Sequence, residues 1–262
     1  MEYLLKNTFL WQIGISEFIS LSFLITMSFL STYLGKKYKH HNHLYGTIYG
    51  LSVFLAGLLA MFILRGISYL EHNEVLLKTN TASFNNPMGT FLFIFVYIFS
   101  NLGNLDLSQF VWINLLWLIL IHLLAIVCAC TFWSFIRKRF KLNNDFKHVD
   151  VLQKREIGLE VIFMFLLVLI VYIISFRVIL KDPFWDAFTN VAATGLGAMV
   201  LLIIISFFRV FSFPTNIYVS LASFFMSVVH KKTKFVINFA YFNYTIVSFA
   251  GNAFLVSLLT FI

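Results

Sequence analysis

The sequence predicts an all-α membrane protein of about eight transmembrane helices, and three observations carry that reading. Hydrophobic residues make up 60% of the chain, 33 of its 262 positions are Phe, and only 11% are charged; no soluble core buries so much apolar surface. Long apolar stretches recur, and roughly 20 apolar residues in a helix cross the ~30 Å hydrocarbon layer, where only internal hydrogen bonding satisfies the backbone. The net charge of +8 sits in the segments between those stretches, which makes the anionic membrane surface its partner and excludes nucleic acid.

The stretches are 8–35, 44–70, 88–104, 107–135, 157–180, 185–210, 213–230 and 235–262. No cleavage pattern precedes the first, so it reads as a retained helix. The third is short and shares the polar turn "NLGNLD" with the fourth. Pro87 and Pro214 each suit the first turn of a helix, where the missing N–H has no partner to lose.

An internal register links these elements. "GLLAM" at Gly57–Met61 recurs as "GLGAM" at Gly195–Met199, and Pro87 precedes Ser100 by the same 13 positions that separate Pro214 from Ser227. "FVWINLLW" then matches "FVINFAY", pairing Asn114 with Asn238 and Trp117 with Tyr241. The predicted organisation is an extra N-terminal helix and basic loop (1–43), a first three-helix repeat (44–135), a basic connector with a linker helix (136–180) and a second three-helix repeat (181–262). Three helices per unit and one linker make the repeats parallel, a transporter plan with its substrate site near the midplane between the halves.

Polar groups then mark candidate site faces. At 100° per residue, Asn238, Tyr241, Thr245, Ser248 and Asn252 fall within about 80° of arc. Asn216, Ser220, Ser223 and Ser227 form a second stripe; Asp186, Asn190 and Gly197, with Thr194 at the margin, form a third. Hydroxyls and small residues also serve helix packing, but a buried amide has four hydrogen-bonding positions to satisfy, which favours a site role for Asn190, Asn216 and Asn238. The first repeat offers Tyr97, Asn114, Trp117 and His122, and an intramembrane His is a functional candidate by default. Glu17 and Glu160 have no basic partner at helical spacing, so neutral recognition is expected rather than a proton relay.

Catalytic motifs are absent from the sequence, and no enzyme, cofactor or metal is expected. Cys128 and Cys130 point in different directions on one helix, and "HHNH" (His40, His41, His43) reads as part of a solvated basic loop. The connector 136–156 carries seven basic residues and short basic loops stay cytoplasmic. With eight helices, both termini are then inside, and "KKYK" and "HKKTK" lie on the opposite face.

Three-helix units around a linker, the connector "RKRFKLNNDFKHVDVLQKREIGLEV" and the helix "DAFTNVAATGLGAM" resemble the PnuC family of vitamin transporters over roughly 44–262. The best local matches are "SQFVWINLLWLILIHLLAIV" and "FVINFAYFNYTIVSFAG", where Asn114, Tyr241, Tyr244 and Gly251 fall on family residues and Trp117 on a family Tyr. Asn216 and Val219 stand where the family has Trp, Ser223 where it has Asn, and Gly197 and His122 where it has Gln. The resemblance implies a SWEET-like fold in the cell membrane. It also implies facilitated diffusion of a small ring-bearing vitamin or nucleoside-like metabolite, akin to nicotinamide riboside and trapped by downstream phosphorylation, and it leaves room for a homo-oligomer. Tyr97, Trp117, Tyr218, Tyr241 and Tyr244 are the expected stacking residues, with the asparagines fixing the ring's edge. A sugar facilitator and a non-transporting membrane subunit are the alternatives.

Overall fold

The computed structural model describes residues 11–38, 42–72, 87–103, 112–142, 154–178, 180–207, 216–229 and 235–262. Among them there is no strand. The helices are α1 (Trp11–Lys37), α2 (Asn42–Leu70), α3 (Pro87–Ser100), α4 (Trp112–Phe140), α5 (Lys154–Tyr172), α6 (Pro183–Phe207), α7 (Ile217–Val229) and α8 (Phe235–Ser257). Six of these, all but α3 and α7, are long and apolar enough to cross a membrane. The chain is a multi-pass helical membrane protein.

Local chemistry sets the helix ends. Asp182 caps α6 by accepting the Phe184 and Trp185 N–H groups at 2.9 and 3.1 Å, and Pro183 fills the first helical position, where no N–H is needed. Asn216 caps α7 through Oδ1, which accepts the Tyr218 N–H at 2.8 Å. Arg137, Lys138 and Arg139 occupy the last turn of α4, where cations complement the helix dipole. A π-turn, Ile173–Arg177, ends α5 as Val178 becomes extended.

Eight spans are expected from composition; among the described residues six helices have the length for one and two do not. α3 has 14 residues and α7 has 13, about 20 Å each at 1.5 Å per residue against the ~30 Å needed. The stretch 88–104 breaks at Asn101–Gly103, where Gly103 takes φ 100°, a backbone open to glycine at no steric cost.

Residue pairs give each helix its direction. Gly14 meets Trp117, Glu17 meets His122, Ser22 meets Ala125 and Phe29 meets Trp133, so α1 and α4 are parallel. Gly35 against Tyr45 and Gln12 against Glu71 make α2 antiparallel to α1. Ser175 with Asn190 and Ile170 with Gly197 set α5 against α6. Val161 with Asn252 and Arg177 with Leu259 make α5 and α8 parallel.

The expected parallel relation of 44–135 and 185–262 is overturned at α2 and α6. Gly46 faces Leu202, Gly50 faces Met199, Phe54 faces Gly195 and Gly57 faces Val191, so these two helices run antiparallel. The cause is parity. Among the described residues α4 and α5 are the helices between α2 and α6 with the length to cross, and an even number of crossings sets α6 antiparallel to α2.

No other pair of helices packs as extensively as α2 and α6. A Cβ on Gly46 would run into the Leu202 carbonyl oxygen, one on Gly50 would sit 2.7 Å from the Met199 Cα, and one on Gly195 would sit 2.9 Å from the Phe54 Cα. Small residues are what let helix backbones approach in lipid, where packing rather than water exclusion drives association. "GLLAM" and "GLGAM" each begin at this crossing.

Candidate functional site

The half-length helices locate the site. α7 runs alongside α4 in the same direction, with Tyr218 beside His122, Ala222 beside Cys130 and Met226 beside Ser134. His122 is the eleventh of 29 residues in α4, so α7 begins midway through the bundle and runs to the end where α4 finishes. α6 finishes at that same end. α3 mirrors this with α8: Phe95 and Phe99 meet Phe254, and Phe99 also meets Phe261. The start of α3 therefore lies about 12 Å further in than Phe95, at 1.5 Å per residue, near the middle of α8.

At the start of α7, three helices contribute one buried polar chain. His122 lies between Tyr218, whose hydroxyl is 2.8 Å from Nδ1, and Glu17, whose Oε2 is 3.4 Å from Nε2. Glu17 and His122 are each 2% exposed, and the His122 and Tyr218 rings lie 4.5 Å apart, tilted at 50° to one another. A neutral imidazole protonated on Nε2 serves both contacts: it donates to the Glu17 carboxylate and accepts the Tyr218 O–H on Nδ1. The carboxylate also lies beside the positive end of the α7 dipole.

Glu17 was not legible as a site residue, because its partner is 105 positions away rather than one helical turn. The signal available was a lone acid inside an apolar segment. Glu160 repeats the theme: it is 2% exposed and within electrostatic reach of Tyr45 and Tyr244. An intramembrane acid–base pair therefore exists where none is expected from spacing.

Other expected site residues scatter. Asn190 Oδ1 accepts the Ser175 hydroxyl at 3.1 Å across the π-turn, and Thr194, one turn on, buries a hydroxyl without a hydrogen-bond partner among the described residues. Asn216 serves as the α7 cap. Ser223 and Ser227 bond back to the carbonyls of Val219 and Phe224, the packing role, while Ser220 in the first turn of α7 has no hydrogen-bond partner among the described residues. Tyr97 packs with Ile13, Leu64, Phe93 and Leu118, Trp117 presses on Gly14, and Tyr244 bonds Ser248. Of the expected ring-stacking set, Tyr218 meets another expected site residue, His122.

Asn114 is completely buried in the first turn of α4. Asn238 is in the first turn of α8, and because α4 and α8 run in opposite directions, the two turns lie at opposite ends of the bundle. They do not share one central site. The side chains of Asn238 and Tyr241, and His40 and His41, lie outside the described residues. Among the described residues no group of three His, Cys, Asp or Glu side chains is placed to hold a metal.

Removing one partner of a buried hydrogen-bonded pair leaves the other unsatisfied, at about 1–3 kcal/mol and more for a charged group. Glu17→Ala should therefore lower the melting temperature sharply, whereas Glu17→Gln, which keeps an acceptor for Nε2–H, should retain most of it. Thermal unfolding in detergent checks this, and equal losses for both variants would contradict the hydrogen-bonded arrangement. No known protein family and no curated protein matches the chain.

Proposed function

We propose that the chain is a passive pore or facilitator for a small uncharged hydrogen-bonding solute in the cell membrane, built as an inverted repeat of residues 11–140 and 154–261. The observation that carries this is the pair of half-length helices that begin midway through the bundle and run to opposite ends. A helix N-terminus carries roughly half a positive charge with free N–H donors. Two of them at the midplane repel cations and protons while offering hydrogen bonds to a neutral dipole, the electrostatic barrier of aquaporin-type pores.

The helix neighbours support the repeat. Exchanging α1–α4 for α5–α8 turns the α1/α4 pair into α5/α8, α3/α8 into α7/α4 and α1/α7 into α5/α3, all of which are packed pairs, and it maps α2/α6 onto itself. Glu17 and Glu160 are each the seventh residue of their helices. In this reading α1 is the counterpart of α5, not an extra helix, and α5 is not merely a linker. The equivalence of Asn114 with Asn238 also survives, with the two halves inverted rather than parallel.

Facilitated diffusion is retained from the sequence, but the solute is narrowed. Antiparallel α2 and α6 are at odds with the parallel halves that the PnuC resemblance implies. A small neutral solute such as water, urea or a short polyol fits better than a nucleoside-like one. The solute and the bilayer are the proposed partners. Proteoliposomes mixed rapidly with hyperosmotic urea, glycerol or nicotinamide riboside should shrink and then reswell faster than protein-free vesicles for the smallest solutes, by about tenfold, equivalent to about 1.4 kcal/mol of barrier. Acceleration of the riboside alone would favour the ring-bearing class, and acceleration of none would favour a non-transporting subunit.

A further inference from the structure

Six crossings redistribute the charge of this chain. In the eight-span reading, "KKYK" and "HKKTK" lie opposite the connector 136–156 and the positive residues divide between the faces. With α3 and α7 starting and finishing within one half of the bundle, the end of α1, the end of α4, the starts of α2, α5 and α8, and the end of α7 all lie at one end. The helix ends there and the sequence segments that adjoin them carry 14 of the 19 Lys and Arg residues: Lys36, Lys37 and Lys39, the run Arg137–Lys141 with Lys147, Lys154 and Arg155, Arg209, and Lys231, Lys232 and Lys234. Only three acids, Asp145, Asp150 and Glu156, accompany them. The other end, where α1 begins and α8 finishes, has five basic residues against six acids, among them Glu71, Asp106 and Asp182.

Lys and Arg in short loops beside membrane spans are retained on the cytoplasmic side, whereas acids have little influence. The bias here is unopposed, because every strongly basic segment shares one face. We infer that this basic face is cytoplasmic and lies against the anionic headgroups of the inner leaflet, and that the start of α1 and the end of α8 are on the outer face. Both half-helices keep their places, but α7 then enters from the cytoplasm and α3 from outside. This is opposite to the orientation that eight spans and the connector predict for the chain ends. The inference rests on the six-span part of the proposed reading and does not depend on the solute.

Single cysteines in a Cys128→Ala, Cys130→Ala background separate these possibilities. Lys37→Cys, Lys141→Cys and Val229→Cys probe the basic end, and Leu102→Cys and Lys181→Cys probe the other; all five native side chains are exposed. A membrane-impermeant maleimide applied to intact cells should label Leu102→Cys and Lys181→Cys, and should reach the other three only after permeabilisation. The opposite pattern, or labelling of both groups from outside, would overturn the orientation while leaving six spans intact. If Lys141→Cys reports the side opposite to Lys37→Cys and Val229→Cys, α3 and α7 cross fully, and both this inference and the half-helix pore are wrong. Solute flux is measured separately, so loss of the pore reading alone leaves this result standing.

Discussion

Replacing Gly46 by leucine should leave almost no folded protein. Even a methyl group there collides with the Leu202 carbonyl oxygen and reaches the Ser206 hydroxyl at 2.9 Å, and backbone cannot swing aside as the tip of a side chain can. Overpacking a tight core typically costs about 1–3 kcal/mol, and a leucine that forces α2 off α6 opens the largest helix contact in the molecule, so a larger loss is expected. The control is Gly251→Ala on α8, where nothing lies within 4 Å of the new methyl. That change should stabilise the helix by roughly 0.5–1 kcal/mol. Size-exclusion profiles and thermal unfolding in detergent measure both. A Gly46→Leu protein that melts like the parent would mean the crossing is not the seam between the halves.

Asn216→Asp should open a cation leak in a protein that still folds. Asp caps a helix as well as Asn does, so the bond to the Tyr218 N–H survives the exchange. The carboxylate, however, adds a negative charge to that of Glu17 at the start of α7, which in the proposed pore faces the permeating solute. At about 6 Å and an effective dielectric of 20, one charge changes a cation's energy by about 3 kcal/mol, or roughly a hundredfold in rate. Potassium or proton conductance of proteoliposomes should rise on that scale, with neutral-solute flux changed far less. Conductance at the parent level would show that the start of α7 does not face the permeation path.

The long helices were legible because twenty apolar residues have one stable solution in lipid. α3 and α7 were read as spans for the same reason, since composition reports that a segment is buried but not whether it turns back halfway. Pro87 marked the start of its helix and Gly103 the break after it. The direction of the second half depends on how many helices cross, and composition does not count crossings. His122 stood out as a lone intramembrane imidazole, and Glu17 as a lone acid. Their pairing across 105 positions was not legible, because periodicity orders residues within a helix and says nothing about which helices meet. The glycines at 46 and 50 carried no signal until α6 was seen against them. "GLLAM" and "GLGAM" both fall at the crossing of α2 and α6, but sequence similarity is blind to whether two such segments lie parallel or antiparallel in a membrane.

The account is tested most directly by following neutral solute and protons together in one vesicle preparation. Proteoliposomes carrying a trapped pH dye are given a glycerol gradient, with and without an imposed membrane potential. The half-helix pore predicts glycerol flux proportional to the gradient, unaffected by a protonophore, and no proton entry above that of empty vesicles when the potential is applied. Glycerol uptake against its gradient that collapses with a protonophore, or proton entry that follows the potential, would contradict it and assign the buried Glu17–His122–Tyr218 chain a role in proton movement instead.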